Sequence, residues 1–255
     1  MKCWRLADIT YGHVKSSTPF EVAVLPLGAT EPHNLHLPYG TDTTQVEVIG
    51  DRACAIAAEQ GARVVLLPAI PYGTETNQMS FPLAMNLNPT TLGRVITDLV
   101  ESLATHGVRK VLLLNGHGGN DLKWLLRELH RTTSVHLFLC NWYKVAADGY
   151  DTIFDHKDDH AGEMETSMGL AHFPELVKLE AADSGSVRPS RFAAVNRGWI
   201  EMSRPWHLLT TNSGSGDPRA ATAAKGEAIT QRVCQRIGDF LAELSRSPVD
   251  ETFPF

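Results

Sequence analysis

The sequence predicts a layered α/β fold built on a parallel sheet, and three observations lead to it. Short apolar runs alternate with longer stretches of helical periodicity. The clearest run passes without a break into a glycine-rich turn, as buried parallel strands do at a functional loop. No internal repeat or low-complexity tract points to a solenoid.

The elements follow in order. Residues Val22 to Gly28 form an apolar run stopped by proline and glycine, which predicts a buried strand opening into a loop. The polar cluster from Thr30 to Asp42 is thereby placed at a strand end. From Thr43 to Gln60, Val46, Ile49, Ala53, Ile56 and Ala57 recur at helical spacing and predict a helix over one sheet face. A second strand runs from Ala62 to Pro68, followed by the loop at Pro71-Tyr72-Gly73. A helix from about Thr91 to Leu103 turns Leu92, Val95, Ile96, Leu99 and Leu103 inward.

Lys110 to Leu114 is the clearest strand, and it ends at Asn115-Gly116-His117-Gly118-Gly119-Asn120. Asp121 to His130 reads as helix, and Val135 to Cys140 returns to strand. Gly162 to Ala171 begins a further helix. The last, from about Ala220 to Leu244, is expected to bury Ala224, Ile229, Val233 and Ile237 before an irregular tail from Pro248 to Phe255.

The 255 residues are 43% hydrophobic and 20% charged, enough apolar material for one continuous core under a polar surface. A net charge of -6 without a lysine or arginine track argues against nucleic acid as a partner. Cys3, Cys54, Cys140 and Cys234 form no CxxC pair, which excludes a zinc ribbon and a stapled secreted scaffold. With no apolar targeting segment at the N-terminus and no stretch that could cross a bilayer, a cytoplasmic protein without a membrane partner is expected.

Three clusters carry chemistry. Glu31, His33, His36 and Asp42 gather carboxylates and imidazoles after the first strand, a donor mixture suited to borderline divalent ions such as zinc or manganese. His117 stands at the end of another strand, where it can meet that loop. Asp158, Asp159, His160, Glu163 and Glu165 gather at a helix start, and capping accounts for one acid there more readily than for all of them.

These segments, Pro26 to His33 with His36-Leu37-Pro38 and Gly40-Thr41-Asp42, then Asn115 to Asn120, then His160 to Ser167, resemble the creatininase family of creatinine amidohydrolases. The resemblance implies a single-domain, three-layer α/β sandwich over residues 1–255 with a mostly parallel central sheet. It also implies homo-oligomers, often hexamers. It further implies two divalent ions, Zn, Mn or Fe, with Glu31, Asp42 and His117 on one and His33, the shared Asp42 and Glu163 on the other. Family members that carry a glutamate just after the strand-end histidine differ here, because this chain has Gly118-Gly119, so Glu163 is expected to take over.

His160 is the candidate proton carrier, since a neutral imidazole can take a proton and return it near neutral pH. Asp158 or Asp159 is expected to orient it. His36, Asn77, Gln78, Asn120 and Trp142 are candidate substrate contacts, with Tyr143, Tyr150, Trp199 and Trp206 as further candidates at a pocket entrance. Asn120 is equally suited to locking the glycine-rich turn.

The expected activity is metal-dependent hydrolysis of a non-peptide carbon-nitrogen bond in a small polar metabolite, a cyclic amide or formamide. The alternatives are hydrolysis of a carbon-carbon bond in an oxidised sugar or cyclitol, and a non-catalytic metal-binding scaffold. Asn77-Gln78 stands where many relatives have a glutamate-histidine pair, and Glu75 stands where serine is common, so creatinine itself is expected to be a poor substrate.

Overall fold

The computed structural model describes residues 2–145 and 147–255. Four strands, β1 (Val22–Leu27), β2 (Val64–Leu66), β3 (Lys110–Asn115) and β4 (His136–Asn141), form one sheet in the order β2-β1-β3-β4, with every neighbouring pair parallel. Strand pleating sends alternate residues to opposite faces. Val22 and Val24 of β1 and Leu112 and Leu114 of β3 thus enter one core, while Ala23, Leu25, Leu27, Val111 and Leu113 enter the other. Both faces are covered, and this is why β1 and β3 read as continuous apolar runs rather than alternating ones.

The helices are α1 (Tyr11–Ser16), α2 (Thr41–Glu59), α3 (Pro89–Thr105), α4 (Lys123–Leu129), α5 (Glu163–His172), α6 (Ala193–Asn196), α7 (Trp206–Leu209) and α8 (Ala223–Arg246). α2, α5 and α8 pack together, and their apolar residues share the first core. Ile229, Val233, Ile237, Leu241 and Leu244 repeat at three- and four-residue spacing along α8 and are all buried. α3 and α4 contribute Leu92, Ile96, Val100, Leu125 and Leu129 to the second. The result is the three-layer α/β sandwich with a parallel central sheet that the sequence implied.

Boundaries shift where side chains other than the apolar set decide them. β2 is shorter than its apolar run: the Leu67 amide still meets the Val24 carbonyl at 2.9 Å, but Pro26 of β1 has no amide to donate back and continue the ladder. α2 begins at Thr41, two residues earlier than expected, so that Asp42 lies in its first turn, where the helix dipole favours a carboxylate.

The sheet order determines where a site can form. From β1 the chain moves to one side of the sheet to make β2, and β3 returns to the other side of β1. The register brings Leu27 of β1 opposite Asn115 of β3, and Asn115 opposite Asn141 of β4. The loops that leave β1 and β3 therefore open at the switch point of the sheet, where open α/β folds bind their ligands.

Candidate active site

Glu31 and His33 come from the loop after β1, Asp42 from the first turn of α2, His117 from the loop after β3, and Glu165 from the first turn of α5. Gly28 lets two of these segments meet. A Cβ there would lie 2.3 Å from Thr43 Oγ1 and 2.6 Å from Thr43 Cα, so only glycine lets the strand end approach α2 this closely. Three non-glycine residues with positive φ, Asn34 (54°), Ala161 (51°) and Ser213 (66°), border the same site. The Ser213 hydroxyl donates to the Pro32 carbonyl at 2.8 Å and accepts the Asn34 amide at 2.9 Å, holding that conformation beside His33.

The donor atoms fall into overlapping sets. Glu31, Asp42 and His117 offer one atom each within 4.8 Å of one another, as do His33, Asp42 and Glu165, and as do Glu31, His33 and His160. Asp42 faces both ways. Its Oδ1 is 3.1 Å from His33 Nε2 and its Oδ2 is 3.1 Å from His117 Nδ1. Glu31 Oε1 is 2.7 Å from the same His117 nitrogen. His33 Nδ1 donates to the Glu31 carbonyl at 3.0 Å, so Nε2, turned toward Asp42, is the nitrogen that would face an ion once its proton is displaced.

The electrostatics show a site short of positive charge. Burial pushes Glu31 well above the usual carboxylate range, against His117, and Asp42 adds to the rise. Burial also opposes a charge on His33, but Asp42 and its hydrogen bond outweigh it and raise the imidazole to about 10. His117 is raised as well, against burial, mainly by Glu31 and by bonds to Asp42 and Glu31. Asp42 lies well below its ordinary value, because His33 and His117 overcome its burial. Burial lifts Glu165 to about 7. These carboxylates draw protons onto neighbouring imidazoles in place of another cation. Even so, Glu31 Oε1 and Asp42 Oδ2 are buried without an aligned hydrogen bond. Orphaned anionic oxygens converging on an imidazole nitrogen fit a divalent cation.

Glu163, expected on the second set, is not among the residues whose donor atoms converge there. Its Oε2 accepts the backbone amides of Asp155 at 2.9 Å and His156 at 2.8 Å, and its Oε1 pairs with Lys225 of α8. Both oxygens are occupied at the back of α5. Glu165, two residues on, faces His33 and Asp42 instead.

His160 lies inside the site. Its ring is 4.3 Å from that of His33 and 5.1 Å from that of Trp206. Its Nε2 donates to the Pro32 carbonyl at 2.9 Å, so the expected orientation by Asp158 or Asp159 is replaced by a backbone contact. Asp158 instead accepts the Tyr150 hydroxyl at 2.6 Å and the Met164 amide at 2.8 Å, while Asp159 pairs with Arg204 at 2.5 Å. Burial, reinforced by the charge on His33, lowers His160 to about 3 and keeps it neutral.

A cavity of about 490 Å³ opens over these groups, with Asn77, Gln78, Tyr143, Tyr150 and Trp206 in its wall. Gln78 donates to Glu31 Oε2 and so supports a donor residue as well as lining the space. The other candidate contacts lie outside this wall. Trp142 is fully buried in the first core, with its neighbour Tyr143 reaching the cavity instead. His36 bonds Thr166 Oγ1 at 2.7 Å, and Trp199 is exposed elsewhere. Asn120 accepts the Thr74 amide at 3.0 Å and donates to Asn115 Oδ1 at 3.0 Å, which fixes the glycine-rich turn. Lys144 and Arg204 also line the cavity and were not singled out from the sequence, because both lie outside the strands and α-helices and belong to no motif.

A parallel α/β sheet with a buried carboxylate and imidazole cluster at its switch point defines a metal-dependent hydrolase. The family model for creatininase, creatinine amidohydrolase, matches residues 7–241, and the chain belongs to that family. The solved structure of a creatinine amidohydrolase-like protein of Bacteroides fragilis superposes with a TM-score of 0.91 at 34% identity, covering 98% of this chain and 100% of that one. The mycofactocin precursor peptide peptidase of Mycobacterium tuberculosis is 30% identical over 243 residues, 88% of this chain and 85% of its own. The creatinine amidohydrolase of Pseudomonas putida is 28% identical over 249 residues, 87% and 89% respectively.

Proposed function

We propose that this chain hydrolyses a non-peptide carbon-nitrogen bond in a small polar cyclic amide or formamide, using two divalent ions, zinc or manganese, with iron also compatible with the donors. The observation that carries the reading is the pair of buried carboxylate oxygens on Glu31 and Asp42 that converge on His117 Nδ1 without an aligned hydrogen bond. Glu31, Asp42 and His117 would hold one ion, and His33, Asp42 and Glu165 the other. Bound there, divalent ions supply Lewis acidity to a substrate carbonyl and make water a nucleophile at neutral pH.

The chain's own residues do the rest. His160 commits its Nε2 proton to the Pro32 carbonyl, so Nδ1 keeps the lone pair; it takes a proton and returns it to the departing nitrogen. Gln78 fixes Glu31. Trp206 and Tyr143 line the cavity, and a volume of about 490 Å³ matches a small ligand. The relative named creatinine amidohydrolase supports cleavage of a non-peptide carbon-nitrogen bond, and the relative named a peptide peptidase supports carbon-nitrogen cleavage only in the wider sense.

A panel of cyclic amides, formamides and oxidised cyclitols tests the proposal. Metal-dependent product is expected from the first two classes, with creatinine itself slow. Product from oxidised cyclitols alone would move the reaction to a carbon-carbon bond. Stoichiometric ion binding with no turnover on any of them would make the chain a scaffold.

A further inference from the structure

We infer that Glu75 is a positioning residue that holds His117 by its second nitrogen and strengthens the ion site formed on the first. The inference rests on the two-ion reading above. His117 presents Nδ1 to Glu31 and Asp42 at 2.7 and 3.1 Å, so its Nε2 must carry the ring proton whenever Nδ1 binds a cation. Two acceptors converge on that nitrogen: Glu75 Oε1 at 2.7 Å and the Thr74 carbonyl at 3.2 Å. Glu75 is 1% exposed, and its Oε1 makes no aligned hydrogen bond; its contact is the 2.7 Å approach to His117 Nε2. A buried carboxylate oxygen without an aligned hydrogen bond of its own is a ready acceptor for an imidazole N–H turned toward it.

The surroundings are built to keep it there. The Glu75 amide donates to Asn86 Oδ1 at 2.8 Å and the Leu87 amide to the Gly73 carbonyl at 2.8 Å, tying this loop to the segment before α3. Gly119 clears the space on the same side of the ring, since a Cβ there would lie 2.3 Å from His117 Nε2 and 2.4 Å from the Thr74 carbonyl. The carboxylate fixes the ring orientation and makes Nδ1 a better donor, as outer carboxylates do for metal-bound histidines. Glu75 also borders the cavity, but in this role it acts through the His117 ring.

Zn²⁺ affinity and stoichiometry, measured by chelator competition on the wild type, Glu75→Ala and Glu75→Gln, provide the test, together with the visible absorption of the Co²⁺-loaded proteins. Glu75→Gln keeps the side-chain shape and carries the test should Glu75→Ala fail to fold. The expected result is affinity for one ion lowered by about 10–100-fold with the other unchanged, and an altered Co²⁺ spectrum. Two ions held with wild-type affinity and an unchanged spectrum in Glu75→Gln would overturn the role of Glu75 and leave the two-ion reading intact. A wild-type chain that takes up no ion would overturn that reading itself.

Discussion

Glu163 and Glu165 stand two residues apart at the start of one helix, and their different fates show where side-chain facing is decided. Residues two apart point to different sides of a helix, so only one can reach the site. Lys225, on a helix more than fifty residues later, takes Glu163 to the back, and no local pattern in the sequence announces that pairing. Replacing each with alanine separates the two. Glu165→Ala is expected to remove one ion and to cost more activity than the roughly 10–100-fold typical of an outer-partner loss. Glu163→Ala is expected to keep both ions but to leave the Asp155 and His156 amides without their acceptor, lowering stability by about 1–3 kcal/mol, while Lys225 keeps Asp155 and the Ala220 carbonyl. Elemental analysis and denaturant unfolding of both variants read the two effects. Glu31, His33, Asp42 and His117 were legible because each follows directly from a strand end or helix start, where chain direction alone fixes the side chain's neighbourhood. His36 and Trp142 have residue types suited to a site, but they lie where the fold turns them into its interior.

The strands and long helices were readable because burial on both sheet faces leaves continuous apolar runs and helical stripes in the sequence. Their ends were less so. α2 begins early, at a turn made by Pro38, Tyr39 and Gly40, where the Thr41 amide meets the Pro38 carbonyl at 3.2 Å and the Thr44 amide meets the Gly40 carbonyl at 2.9 Å. Those are backbone contacts that carry no periodic signal. The junction of β1 with α2 depends on Gly28, and Gly28→Ala forces a Cβ into the Thr43 backbone. Overpacking of this kind is expected to cost about 1–3 kcal/mol or more in urea unfolding. Because Asp42 lies in the displaced turn, ion affinity is expected to fall in the same variant. Lost stability with unchanged ion binding would show that the strand-helix contact does not position Asp42.

At the scale of the molecule, the sheet order places the β1 and β3 loops at one switch point, and α5 adds its first turn from the face it shares with α2 and α8. Parallel strands with covered faces were legible in the sequence. The strand order was not, since it depends on which way each crossover turns. Among the described residues no helix is long and apolar enough to cross a membrane. The central claim is that hydrolysis depends on ions held where Glu31, Asp42 and His117 meet His33 and Glu165. The most direct test is to strip the protein with a chelator, verify the loss by elemental analysis, and follow hydrolysis of an accepted cyclic amide or formamide as Zn²⁺ or Mn²⁺ is titrated back. The account predicts that activity vanishes in the stripped protein and returns as two ions bind per chain. Undiminished turnover in protein verified to be metal-free would contradict it.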